Sequence, residues 1–485
     1  MKKFLYLIPP VAGGTKNVVR DFVYGCWCNG KRIGGMQMPP LNMLYAVSHC
    51  RAAGVEAELL DGMMEPEKHQ AMVEEGFRDL AGLVLLSSTQ SFRDDVALCR
   101  QVKAANPAVK TILFGSHPTF MPQFCLQEPD LDYIVLREPE ETLRRLCLAL
   151  QEGRDPADLP GIGRRGADGQ AVINPPRPFL DMDELTPPDR SLLPKDADYF
   201  NPVVKRLPYT TMQTSRGCPG RCIFCTAPTF YGRRYRVRSV ANILAELRQV
   251  KAQGFREVFF RDETFSAMKK RNLDLCQAML DEKLDLSWIA NARVDMIDED
   301  AMRLMKKAGC HMLKFGVETG SDRILANYKK GTTTAQARRA FALAKAVGLD
   351  THAHLVLGGP GETAETIADT LRFVKDLDPS TASFGILTPY PGTELFDMVA
   401  EKHPEIKDGT SSNMENLHVQ GFYSEAICGM NSRELERAIV KAYRSFYWRP
   451  SYLAKRLTRI RSLEELMVLL LAGLSVFSFS LTGEK

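Results

Sequence analysis

Three cysteines, Cys218, Cys222 and Cys225, close the stretch TSRGCPGRCIFC at the spacing Cys-x3-Cys-x2-Cys. A closed structural zinc site takes four ligands, and no Cys or His falls within the next 50 residues to supply the fourth. The nearest, Cys276, sits in LDLCQAML among residues with core periodicity. Thiolates are the ligands of iron-sulfur clusters, and a four-iron cubane on three cysteines keeps one iron open to a small molecule. Gly217, Pro219 and Gly220 let the backbone fold tightly around a bulky cluster, and Phe224 is placed to shield it from water. Cys26 and Cys28, in YGCWCNG, are too close for a zinc knuckle and read as structural or incidental. The other cysteines stand singly on apolar runs, as small buried hydrophobes do. The N-terminal run FLYLI is shorter than a signal-peptide core and reads as a buried strand, so reduced thiols in a cytoplasmic protein are expected.

The cysteine loop needs a scaffold, and residues 206–400 supply one. TTMQTS, EVFFRD, SWIANA, MLKFGVET, THAHLVLGG and ASFGILTPY alternate with helical stretches in six units about 30 residues apart, the pattern of a parallel barrel or part of one. Chemistry in such a barrel belongs at the C-terminal ends of its strands, and the cysteine loop follows the first of them. Asp262 and Glu263 then fall at the end of the second strand, Arg293 at the third, Glu318 and Ser321 at the fourth, and Gly358 and Gly359 at the fifth.

Residues 1–150 show short apolar runs separated by helices of about a dozen residues, which predicts an open, doubly wound parallel sheet. Ligands bind such sheets at the carboxyl ends of the strands. There lie the loops Pro9–Gly14, Ser87–Ser91 and Gly115–Pro122, with Asp61 and Glu138 at similar positions. No GxGxxG falls within residues 1–150 to cradle a dinucleotide. Residues 151–205, dense in Pro, Gly and Asp, read as a linker with a hairpin turning at Ala167-Asp168-Gly169, and residues 401–485 as helical. With 63 basic against 59 acidic residues, the net charge of +4 carries no nucleic-acid footprint.

The CxxxCxxC loop after the first strand of a six-unit barrel resembles the radical S-adenosylmethionine (radical SAM) superfamily. That resemblance implies a [4Fe-4S] cluster on Cys218, Cys222 and Cys225, S-adenosylmethionine chelated to the open iron, and an external electron donor such as a flavodoxin or ferredoxin. It implies that at least one of Asp262 and Glu263 meets the S-adenosylmethionine amino group and that Glu318 and Ser321 lie near its ribose or carboxylate, with Arg293 a further candidate contact at the third strand's end. Gly358 and Gly359 would allow close approach on its adenine side. The first block, with MPPLNMLYAVSHCRAAGVEAELLDG, TILFGSHPTFMP and DYIVLREPEET, resembles the N-terminal domain of cobalamin-binding radical SAM enzymes. That group holds C-methyltransferases and the anaerobic magnesium-protoporphyrin ester cyclase. Asp-x-His-x-x-Gly, which supplies a histidine to cobalt in other cobalamin proteins, is absent; Gly115, Ser116 and His117 in GSHP are the candidate contacts. The expected activity is methylation of an unactivated carbon of a small-molecule, lipid or peptide substrate. The alternatives are radical cyclisation and a radical SAM enzyme that no longer binds cobalamin.

The stretch Leu466–Leu481 is apolar but short of the roughly 20 residues that span a bilayer. It reads either as a cap over the barrel or, with Arg449, Lys455, Arg456, Arg459 and Arg461, as a peripheral contact with anionic headgroups.

Overall fold

The computed structural model describes residues 2–10, 22, 36–197, 199–407, 423–458, 460 and 463–483. Cys26, Cys28, most of the Pro9–Gly14 loop, Arg459 and Arg461 lie outside the described residues.

Strands β1 (Lys3–Ile8), β2 (Ala57–Asp61), β3 (Leu80–Leu86), β4 (Lys110–Phe114), β5 (Tyr133–Val135), β6 (Ile162–Arg165) and β7 (Ala171–Ile173) form one sheet in the order β2-β1-β3-β4-β5-β6-β7. The first five are parallel, and β6 and β7 are the hairpin expected around Asp168, added antiparallel to β5. Alternation along β1 explains the two covered faces. Phe4, Tyr6 and Ile8 enter one core with the helices Leu41–Ala52 and Glu140–Gln151, while Leu5 and Leu7 enter the other with the helix Phe92–Ala105. A strand buried on both faces must be apolar at every position, which is why FLYLI is.

The second sheet is wholly parallel. Its strands β8 (Tyr209–Met212), β11 (Glu257–Phe260), β12 (Ser287–Ala292), β13 (Cys310–Glu318), β14 (Asp350–Leu357) and β15 (Thr381–Ile386) follow chain order from one edge to the other, curling into a half-barrel. The short pair β9 (Ser215–Arg216) and β10 (Arg236–Val237) stands apart from it. Leu313, Phe315 and Val317 of β13 pack outward under the helices, so that Lys314, Gly316 and Glu318 line the inside. The helices after the strands begin at capped positions, among them Ser239, Asp298, Thr333, Thr363 and Thr393.

A half-barrel leaves edge strands, and the helical C-terminal region closes one of them. Phe384 N–H donates to the Tyr443 hydroxyl (3.3 Å), Ala382 N–H donates to the Tyr447 hydroxyl (3.0 Å), and the Tyr452 hydroxyl donates to the Ser380 carbonyl (3.0 Å). Two tyrosines thus satisfy outward backbone groups of β15, and a third the residue just before it, in place of a further strand.

Candidate functional site

The cysteine loop leaves β8 and is pinned where Arg216 of β9 faces Arg236 of β10. It turns at Gly217, φ +91°, where a Cβ would stand 2.9 Å from the Arg234 carbonyl oxygen; only glycine adopts that backbone so close to another. At the next turn a Cβ on Gly220 would stand 3.3 Å from the Cys218 sulfur and 3.8 Å from that of Cys222. Both sulfurs therefore border one tight turn.

Asp262, expected at a cofactor, faces the other way. Its fully buried carboxylate accepts from the Thr214 N–H (2.6 Å) and the Ser215 hydroxyl (2.6 Å), and from the Thr214 hydroxyl. It is a strut for the start of the cysteine loop, and its oxygens are engaged there rather than in the cavity. Glu263, one residue on, lines the cavity and accepts from the Gly217 N–H at 3.1 Å.

Arg216, also fully buried, joins the two sheets: it donates to Glu140 (2.5 Å) and Glu138 (2.9 Å) beyond β5. Burial alone would raise the Glu140 carboxyl, but the Arg216 charge holds it below its ordinary value. Glu138 also takes Arg236, and Asp61 accepts from the Tyr199 hydroxyl at 2.9 Å. Both strand-end acids of the first sheet thus grip the rest of the chain.

A single cavity of about 960 Å³ begins at Cys218, Cys222 and Cys225, runs through the half-barrel and continues between the C-terminal helices. Near the thiols it is lined by Glu263, Arg293, Glu318 and Lys330. Arg293 is held by Asp295 at 3.0 Å through two nitrogens and by the Lys330 carbonyl at 3.0 Å. Lys330 pairs with Glu318 at 2.5 Å. Glu318 ends β13 at φ +66°, a left-handed conformation that a side chain other than glycine adopts at some cost and that clusters at functional sites.

Other expected residues have different occupations. Ser321 caps the helix Asp322–Asn327, accepting from the Ile324 N–H. A Cβ on Gly359 would lie 2.0 Å from the Tyr328 ring, and one on Gly358 2.6 Å from Leu435. This turn is packed against protein, and both its N–H groups donate to Glu362. On the first sheet Gly115, φ +123°, passes Ser87 so closely that a Cβ would meet its carbonyl oxygen at 2.4 Å. Ser116 opens a short helix, and His117 is buried against Phe92 with Thr89 at 3.1 Å from its Nδ1. These strand ends reach the cavity through Gln90, which donates to the hydroxyl of the cavity residue Tyr390 at 3.1 Å.

Comparison with known proteins fits this arrangement. The Radical SAM superfamily matches residues 212–374 and the B12 binding domain matches residues 34–147. An uncharacterised methyltransferase of Pyrococcus horikoshii, PH0819, is 31% identical over 459 residues, spanning 93% of this chain and 94% of its own. The chain belongs to the cobalamin-binding radical SAM enzymes. The anaerobic magnesium-protoporphyrin IX monomethyl ester cyclase of Rubrivivax gelatinosus is 29% identical over 444 residues, 89% of this chain and 77% of its own. Among solved structures, the radical SAM methyltransferase TsrM of Kitasatospora setae, with cobalamin and a [4Fe-4S] cluster bound, shares the fold. Its TM-score is 0.66 at 20% identity, over 83% of this chain and 75% of that one.

The cofactors of this radical SAM enzyme are accordingly a [4Fe-4S] cluster, S-adenosylmethionine and cobalamin, and the residues present fit them. Cys218, Cys222 and Cys225 all line one end of the cavity, and thiolates are the ligands such a cluster takes. Burial pushes the Cys222 thiol up, and the Lys330 and Arg293 cations oppose it, so positive charge awaits thiolates there. At the ends of the first sheet Ser87 Oγ and Gln90 Oε1 are buried without a hydrogen-bond partner among the described residues, polar atoms a cofactor edge can satisfy.

Sequence reasoning missed Lys330, Arg216, His352 and His354. The two histidines line the cavity with rings 4.3 Å apart. Their signal was the alternation in THAHLVL, which puts both on one face of a strand.

Proposed function

We propose that this enzyme methylates an unactivated carbon of an organic substrate held in the cavity beside the cysteine loop. The observation that carries the reading is the continuity of that cavity, from three thiols through a charged rim to a chamber large enough for a substrate. When bound, the cluster and S-adenosylmethionine supply a 5'-deoxyadenosyl radical, and cobalamin supplies the methyl group.

In this reading Cys218, Cys222 and Cys225 hold the cluster, and Phe224, whose ring packs edge-on to Tyr328 at 5.6 Å, keeps water from it. Glu263 offers a carboxylate to the S-adenosylmethionine ammonium. Arg293 and Lys330, each fixed by its own carboxylate, present positive charge to its carboxylate end. Ser87, Gln90 and the Gly115–His117 turn border the cobalamin side. A flavodoxin- or ferredoxin-type protein delivers the electron.

The test is anaerobic reconstitution with iron, sulfide and hydroxocobalamin, followed by reductant and S-adenosylmethionine. Bound corrinoid with both 5'-deoxyadenosine and S-adenosylhomocysteine is expected, and Cys222→Ala is expected to abolish the deoxyadenosine. Deoxyadenosine from a protein that holds no corrinoid would overturn the methyl-transfer reading.

A further inference from the structure

Beyond the half-barrel the cavity is walled by the helices Ser432–Tyr447, Pro450–Leu457 and Leu463–Thr482. Four aromatic residues of this wall carry polar atoms, and each is already used. The Tyr443 and Tyr447 hydroxyls are bound to the backbone of β15 and that of Tyr452 to the Ser380 carbonyl just before it, and Trp448 Nε1 donates to Ser480 Oγ at 2.9 Å. What these residues leave for an occupant is ring carbon. Leu466, Leu469, Leu470, Leu474 and Phe477 complete the wall. The charged group on this wall is Arg456, whose Nε is buried without a hydrogen-bond partner among the described residues; away from it a polar ligand group would lose its hydration without replacement.

The helix Leu463–Thr482 carries a second sign. Gly473 lies in its interior, where glycine weakens a helix relative to alanine. A Cβ there would meet nothing within 4 Å, yet Gly473 lines the cavity. The space in front of it is left open.

We propose that this outer chamber binds the long apolar portion of an amphiphilic substrate, whose polar end stays in the strand-lined stretch with Lys314, His352 and His354. The inference rests on the proposed radical chemistry only for calling the occupant a substrate. Burial favours an extended apolar group over a small metabolite, since affinity rises with the apolar area removed from water.

The test is equilibrium dialysis of the reconstituted holoenzyme, without reductant, against radiolabelled hexadecanoate and octanoate below their micellar concentrations. Wild type and Gly473→Ala are expected to bind hexadecanoate at least ten-fold more tightly than octanoate. Gly473→Trp and Leu470→Trp, which fill the chamber, are expected to lose that preference with unchanged circular dichroism. Leu471→Ser, at an exposed position outside the cavity lining, is expected to behave as wild type. No binding, no dependence on chain length, plugged variants that bind as wild type, or a loss in Leu471→Ser equal to that in Gly473→Trp would each overturn the proposal. Because no turnover is involved, failure here leaves the radical chemistry standing, and failure to form deoxyadenosine leaves the chamber standing.

Discussion

Replacing Asp262 by alanine separates a strut from a cofactor ligand. The buried carboxylate accepts from the Thr214 N–H and from the hydroxyls of Thr214 and Ser215. The alanine variant leaves all three donors facing a void. Hydrogen bonds to a charged group contribute about 1.5–3 kcal/mol each, and breaking one side of a buried charged network costs about 3–5 kcal/mol in total, because neighbours relax. In a barrel of this size that is a fall in melting temperature on the order of 10 °C. Asp262→Asn should fall between. Its oxygen still accepts from the Thr214 N–H, and hydroxyls can turn to accept from its amide, but the Thr214 hydroxyl already takes Arg271 and that of Ser215 already takes Tyr235. Since the strut fixes the entry to the cysteine loop, iron per chain after reconstitution should fall in the same order: wild type, Asn, Ala. Differential scanning calorimetry and iron analysis read both quantities. An alanine variant with wild-type melting and full iron content, but weakened binding of S-adenosylmethionine, would refute the strut and restore the contact expected from position alone.

Two further outcomes follow from buried polar groups elsewhere. Burial pushes the Glu362 carboxyl from 4.5 to about 7, against bonds from the Gly359 and Gly358 N–H groups and the Tyr328 hydroxyl. The folded state therefore holds this proton more tightly than the unfolded one, and its contribution of roughly 3 kcal/mol is complete below pH 4.5 and lost as pH rises through 7; Glu362→Gln should flatten stability between pH 5 and 8, and an unchanged slope in denaturant titrations would count against it. Tyr447→Phe removes both bonds to Ala382 on the edge of β15, so about 1–3 kcal/mol of stability should go, with faster amide exchange at Ala382 by mass spectrometry; unaltered exchange would mean that water replaces the hydroxyl freely.

The order of strands and the meeting of three thiols at one end of the cavity were legible because each depends on near neighbours in sequence: apolar runs bounded by turns, and three cysteines on one short loop. The division of labour between Asp262 and Glu263 was not. Adjacent residues at a strand end point in different directions, and which one enters the cavity depends on where the chain before β9 passes, 48 residues earlier for Thr214. Ser321 carried a second signal, since serine three residues before an apolar position is a capping signal and the structure uses it so. The glycines at 358 and 359 reflect Leu435 and Tyr328, partners set by tertiary packing. Beside the cap over the barrel, the five basic residues near the C-terminus allow a headgroup-facing reading. Lys455 instead pairs with Asp378, Arg449 lies over the Phe446 ring at 4.6 Å, and Arg456 lines the cavity. The helix they precede runs to 20 residues and meets the length of a membrane span, with only 11% of its apolar stretch buried.

Arg216 shows how the two sheets share one task. It sits two residues before Cys218, and its carboxylate partners Glu138 and Glu140 follow β5 of the other sheet. Buried ion pairs add little net stability, because desolvation offsets most of their attraction, but withdrawing one partner strands a charge. The contact therefore acts as a register pin: the cysteine loop cannot slide along the ends of the first sheet without leaving a guanidinium or a carboxylate buried alone. Radical transfer of a methyl group needs the radical source and the methyl donor within reach of one carbon, and misplacement by about 1 Å can cost a factor on the order of a hundred in rate. A pin of this kind, set two residues from Cys218 and anchored at the strand-end edge of the neighbouring sheet, holds that distance in the protein before any cofactor arrives.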